Sequence, residues 1–145
     1  MSWVRVWVHL VFATKNRVPF LSSSDLRKRV YDHVRHNAIK KNIFLESVNG
    51  YHEHMHCLIS LNKAHSISHT AQLIKGESSF WINKNKLTGQ KFGWQDDYWA
   101  VGVSESHLAA VKNYILHQES HHKERPFAKE IEEFMEKYGW EYIQG

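Results

Sequence analysis

Two short stretches of this sequence carry residue types that could do chemistry. The first is Tyr51-His52-Glu53-His54-Met55-His56-Cys57-Leu58. In an extended strand alternate side chains share a face, so His54 and His56 would point the same way while Met55 and Cys57 point into a core. Two neighbouring imidazoles on one face can hold a divalent metal. His52 would join them if the strand began early. The second stretch is Lys112-Asn113-Tyr114-Ile115-Leu116-His117-Gln118-Glu119-Ser120-His121-His122, which reads as a helix. Tyr114 and Gln118, four apart, stack on one helical face, and His121 follows three further on. Leu108, Val111 and Ile115 form the adjoining apolar stripe. Each stretch alone has a plainer reading: strand histidines are often only half-buried and hydrogen-bonded, and a lone tyrosine is often surface decoration.

The elements that must position these residues are legible from periodicity and turn chemistry. Trp3 to Thr14 is rich in β-branched and aromatic residues and predicts a first strand. Lys15, Asn16 and Arg17 form a basic loop after it. Ser22 to Ser24 offer an N-cap for a helix running from Asp25 to about Lys41. Its stripe of Leu26, Val30, Val34 and Ala38 faces a core, and Arg27, Lys28, Arg35 and Lys40 fall mostly on a solvated side. Ile43 to Val48 and His54 to Leu61 predict a hairpin turning at Asn49-Gly50. A second helix spans Ile67 to about Lys86 with Ile67, Ala71, Ile74 and Trp81 on one side, and Gly76 interrupts it at a cost of about 1 kcal/mol relative to alanine. Tyr98 to Val103 is a fourth strand. Ser104 or Ser106 would cap a helix from His107 to about His122, and an amphipathic helix from Phe127 to Tyr138 closes the chain. The order β-α-β-β-α-β is the ferredoxin-like, RRM-like split βαβ plan, an α+β fold with an antiparallel sheet and helices on one face, followed here by a tyrosine-bearing helix and a final helix.

Composition bounds the rest. The 145 residues suit a single domain over 1–145, and 42% hydrophobic residues are enough for a core. The only cysteine, Cys57, excludes an internal disulfide and any cysteine-rich zinc cluster, and suits a reducing cytoplasm. Apolar runs are too short to span a bilayer, and no export signal is visible, so a cytoplasmic protein is expected. A net charge of +4 and six tryptophans favour a polyanionic partner whose unpaired bases stack on aromatic rings.

Together the two chemical stretches resemble a known family. His54-Met55-His56 resembles the histidine–hydrophobic–histidine signature of HUH endonucleases, and Tyr114 with Gln118 resembles the tyrosine helix of the single-tyrosine (Y1) transposases of the IS200/IS605 type. The likeness extends over Lys15-Asn16-Arg17, Leu73-Ile74-Lys75-Gly76, Phe92-Gly93-Trp94-Gln95, Tyr98-Trp99 and His121-His122, with Glu53 standing where many relatives carry an acidic residue. The resemblance implies a transposase that cleaves and rejoins single-stranded DNA. Tyr114 would be the nucleophile and keep the 5′ side as a phosphotyrosine, releasing a 3′ hydroxyl. His54, His56 and the amide oxygen of Gln118 would hold Mg²⁺ or Mn²⁺. A phenol with a pKa of about 10 is a poor nucleophile unaided, and a cation at the phosphate stabilises the charge that develops there. The resemblance further implies single-stranded DNA with hairpin ends as substrate, and a homodimer with composite active sites, each tyrosine reaching the other subunit's histidines. The first strand, taken as a sheet edge, is one surface for such pairing.

Lys15, Arg17 and Lys75 are the DNA-contact candidates, being basic and placed at element ends or beside a glycine. Three rival readings remain. A histidine-triad nucleotide hydrolase would use His52, His54 and His56, but Glu53 breaks its hydrophobic spacing and Tyr114 is left without a role. A non-catalytic nucleic-acid-binding domain could share the sheet plan. A domesticated relative processing chromosomal repeats would keep the same residues as an insertion-sequence enzyme.

Overall fold

A computed structural model describes residues 1–124 and 126–138. Strand β1 (Trp7–Ala13) leads through a 3-10 turn at Lys15–Arg17 to α1 (Ser24–Lys40). Strands β2 (Phe44–Tyr51) and β3 (His54–Ser60), α2 (Ile67–Lys84) and β4 (Trp99–Val103) follow. Three more helices complete the order: α3 (Leu108–Leu116), α4 (Gln118–Glu124) and α5 (Phe127–Tyr138). The sheet order is β2-β3-β1-β4 with every pairing antiparallel, which is the expected split βαβ topology. Among the described residues, no helix is long and apolar enough to cross a membrane.

Strand alternation divides the sheet into two buried faces. Val8, Leu10 and Phe12 of β1, with Met55, Cys57 and Ile59 of β3, pack against Val30, Val34 and Ala38 of α1 and Ala71, Ile74 and Ile82 of α2. Met55 and Cys57 therefore point into this core, as their parity requires. The opposite face carries Trp7, Val11, Ala13 and Leu58, and it too is covered. Ile115, Leu108 and Val111 of α3 pack on Trp7 and Leu58, and Phe127 and Ile131 of α5 pack on Val11 and Ala13. Helices thus lie on both faces once α3 to α5 are included.

Several expectations are corrected. The first strand begins at Trp7 rather than Trp3, and β1 is flanked by β3 and β4. It is not an edge; β2 and β4 are. Ser23 does cap α1, accepting from the Leu26 backbone N–H. Arg27 is buried rather than solvated, because its guanidinium donates to the carbonyls of Leu21 at 2.7 Å and Ser22 at 3.2 Å. Gly76 does not interrupt α2, which runs through it and ends at Lys84. No serine side chain caps the tyrosine helix: Ser104 precedes a 3-10 turn at Glu105–His107 without a cap bond. That helix is also not continuous to His122, since it breaks at His117 into α3 and α4.

The hairpin turn was misplaced as well. Asn49 and Gly50 lie inside β2, paired with His56 and Met55, and the chain turns at His52-Glu53. Two tertiary contacts explain why these turn-forming residue types sit in a strand. The Asn49 amide donates to the carbonyls of Ile115 at 2.9 Å and Leu116 at 3.1 Å, serving the end of α3. Gly50 is there for close approach, since a Cβ at its position would lie 2.2 Å from the His54 carbonyl oxygen and 3.0 Å from the Tyr31 hydroxyl. Gly50→Ala is therefore expected to destabilise the protein by about 1–3 kcal/mol through overpacking. Urea unfolding checks this, and an unchanged midpoint would contradict the close approach.

Candidate functional site

On the sheet face away from α1 and α2, His54 and His56 are fully buried. Their cross-strand partners on β1 are small: Ala13 opposite His54 and Val11 opposite His56. Short side chains there leave space above the imidazoles, and the helices beyond β4 fill it. Gln118 and His122 enter from α4, Tyr114 from α3, and Glu130 with Phe127 from α5. The break at His117 shapes this convergence: α4 starts afresh at Gln118, whose amide nitrogen donates to the Tyr114 carbonyl at 3.3 Å.

The distances describe a tight cluster. The Gln118 Oε1 lies 3.0 Å from His54 Nε2 and 3.1 Å from His122 Nε2. Glu130 places Oε1 3.3 Å from His56 Nε2, and Oε2 3.8 Å from His54 Nε2 and 2.5 Å from His122 Nε2. The Tyr114 hydroxyl donates to Glu130 Oε1. The Tyr114 ring lies 5.7 Å from that of His56 and 5.1 Å from that of His121, centre to centre. Phe127 stacks on His54 at 4.1 Å with the rings 8° from parallel.

The far nitrogens of both histidines are held from behind. His54 Nδ1 meets Glu53 Oε1 at 2.8 Å, and His56 Nδ1 meets His9 Nε2 at 2.8 Å. When these Nδ1 atoms carry the protons, both Nε2 lone pairs face the cluster, as metal-ligating imidazoles require. Burial lowers His9 to about 4 and holds His56 well below the ordinary histidine value, with the neighbouring His54, His9 and His122 adding to the effect on His56. Burial would raise the Glu53 carboxyl, but its hydrogen bond and charge interaction with His54 outweigh that and bring it below the usual value. Glu130 goes the other way, pushed up to about 8 by burial first and then by Glu53 and Glu133.

The donor set fits a divalent cation. Two imidazole nitrogens, an amide oxygen and a carboxylate suit a six-coordinate ion, whose adjacent ligands at about 2.1 Å stand about 3 Å apart. The separations of 3.0 to 3.3 Å between His54 and Gln118 and between His56 and Glu130 match that spacing. His54, His122 and Glu130 each offer a ligand atom within 4.8 Å of the others.

All four central residues expected from the sequence, His54, His56, Tyr114 and Gln118, meet within one chain, so their approach needs no partner subunit. His52 stays outside, stacked on Tyr51 at 3.9 Å in the turn. Lys15, Arg17 and Lys75 share one cavity of about 770 Å³, together with Trp94, Gln95 and Asp96. The Lys75 ammonium donates to the Asp96 carbonyl at 2.7 Å, and burial lowers its pKa against the pull of Asp96 and Asp97. Arg17 and Asn16 both adopt positive φ, 53° and 56°, so this loop holds strained backbone. The Arg17 guanidinium lies 5.4 Å from the centre of the Phe127 ring that covers His54, which puts the cavity beside the cluster.

Sequence reasoning missed Glu130 and the role of His9. Each had a faint signal. Glu130 falls three residues after Phe127, inside the apolar stripe of α5, and His9 is a lone polar residue within Trp7-Val8-His9-Leu10-Val11.

The family "Transposase IS200 like" matches residues 2–118. The chain belongs to this IS200-like transposase family. A structure described as a candidate transposase from Deinococcus radiodurans R1 shares the fold at 23% identity and a TM-score of 0.63, covering 81% of this chain and 95% of that one. A REP-associated tyrosine transposase bound to a REP hairpin shares it at 15% identity and a TM-score of 0.58, covering 84% of this chain and 72% of that one. No curated protein matches. The family match stops at Gln118, so the rest of α4 and all of α5 lie beyond it.

The stacking of α5 on the site is open to test. Phe127→Ala should remove about 3 kcal/mol of docking free energy from α5. Faster hydrogen exchange of the 127–138 amides would report it; unchanged exchange would mean that the ring does not anchor the helix.

Proposed function

We propose that this transposase cuts and rejoins single-stranded DNA through Tyr114, assisted by Mg²⁺ or Mn²⁺ held by His54, His56 and Gln118. The observation that carries the proposal is the position of the Tyr114 hydroxyl, on a carboxylate that also touches His56 within a buried imidazole–amide cluster. The phenol oxygen would form the new bond to phosphorus as its proton passes to the Glu130 oxygen it touches, and the departing 3′ oxygen would take up a proton from there or from water. The bond from phosphorus to the 3′ oxygen would break, leaving a 3′ hydroxyl and a 5′ phosphotyrosine. A bound dication supplies charge stabilisation at the phosphate oxygens. Because the ester link is conserved in the adduct, a second 3′ hydroxyl can reverse the step and join new ends without a nucleotide.

The substrate belongs to the same reading. The relative bound to a REP hairpin supports hairpin-bearing DNA as the ligand class, and the cavity of Lys15, Arg17 and Lys75 beside the cluster supports a route for the flanking strand. A homodimer is part of the proposal, but a tyrosine acting on its own chain's histidines fits the geometry better than an exchange across subunits. One domain over residues 1–145, working in the cytoplasm, accords with this function.

Incubating the protein with a hairpin-bearing oligonucleotide and Mn²⁺ should yield a covalent adduct visible on a denaturing gel. Tyr114→Phe should abolish the adduct and preserve the fold; an adduct that persists assigns the nucleophile elsewhere. Arg17→Ala and Lys75→Ala should each weaken DNA binding and reduce the slope of log affinity against log salt by about one unit. Unaltered slopes would remove these residues from the phosphate contacts.

A further inference from the structure

We infer that Glu130 is itself a ligand of the divalent ion, so that α5 adds a carboxylate to a site otherwise built from neutral donors. The inference rests on the reading that His54, His56 and Gln118 hold that ion. It extends the site beyond the family match, which ends at Gln118.

Nitrogen and oxygen atoms crowd together at the cluster. The Gln118 amide nitrogen is spent on the Tyr114 carbonyl, which turns its oxygen toward His54. When the proton of His54 sits on Nδ1, toward Glu53, the Nε2 facing that oxygen at 3.0 Å offers a lone pair. Glu130 brings two more oxygens to the same place, Oε1 against His56 and Oε2 against His54 and His122. A proton on His122 or Glu130 can stand between some of these atoms, whereas a dication placed among them would engage nitrogen, amide oxygen and carboxylate at once. Glu130 is only 1% exposed, so water does not relieve the crowding.

The chemistry of the group agrees with this role. Two imidazoles and an amide leave a dication its full charge, and a carboxylate reduces it and adds a hard oxygen of the kind Mn²⁺ and Mg²⁺ take. The two oxygens of Glu130 also divide their work. Oε2 lies on the side of His54 and His122, while Oε1 accepts from the Tyr114 hydroxyl. A carboxylate bound to the ion would hold the phenol at a fixed distance from it. Glu130 is then both a ligand and the group that aims Tyr114.

Isothermal titration of the metal-stripped full chain with MnCl₂ tests this, using wild type, Glu130→Gln and His54→Ala, with circular dichroism to check each fold. Both variants should bind Mn²⁺ at least about tenfold more weakly than wild type. A second readout is hydrogen exchange, in which Mn²⁺ should slow the α5 amides in wild type but not in Glu130→Gln. If His54→Ala weakens binding while Glu130→Gln binds equally or more tightly, the inference is overturned and the histidine site stands; Glu130 would then only occupy the ion's place. If neither variant weakens binding, the metal reading fails and takes this inference with it. Should the amide disturb packing, the wild-type exchange comparison decides alone: no slowing of α5 overturns the ligand role.

Discussion

The whole arrangement depends on β3 being buried on both faces while its side chains alternate. A strand with one wet face could present histidines to solvent with little consequence. Here Met55 and Cys57 are locked between β3 and the first two helices, and that fixes the register which sends His54 and His56 to the other side. A slip of one residue would exchange the two sets, placing imidazoles in the apolar core and a thioether in the cluster. The apolar packing beneath the sheet therefore specifies the polar chemistry above it. Gly50 reinforces the register from β2, because the backbones approach there too closely for any side chain.

What the strand cannot do alone is bring the remaining groups to the imidazoles, and the second layer of helices does that. The interruption at His117 is central. A straight helix would carry Gln118 and His122 onward along the axis of α3, whereas the new start directs both toward His54. Asn49 receives the exposed end of α3, and the 2.7 Å ion pair between Lys112 and Glu46 ties the same helix to β2. The tyrosine is thus tied to the sheet independently of the cluster it serves.

Much of this was legible in the sequence, and the failures have physical causes. Period-two alternation identified the face of His54 and His56, whereas Tyr114 and Gln118 reach the same cluster only because the single helix expected to carry both breaks at His117. The closing helix was bounded at Phe127 and Tyr138 as observed. Asn49-Gly50 was misread because turn propensity is local, while the need for a glycine under Tyr31 and a capping amide for α3 is tertiary. Arg27 looked solvated by its type, yet the carbonyls of Leu21 and Ser22 give it partners indoors. Glu130 was missed because its place in the apolar stripe of α5 shows that it faces inward but not which cluster it meets until the docking partner is known. Placing β1 at an edge was a topological error, since the split βαβ order read from the same sequence already puts the first strand between β3 and β4.

The seating of α5 has a bearing on solubility. Val11, Ala13 and the half-buried Trp99 form an apolar strip on the sheet that Phe127 and Ile131 roof over. A chain shortened to the extent of the family match would leave that strip wetted, next to the edge strand β4. Such a fragment would be prone to stick to other copies of itself, so the closing helix acts as a shield against self-association whatever else it contributes.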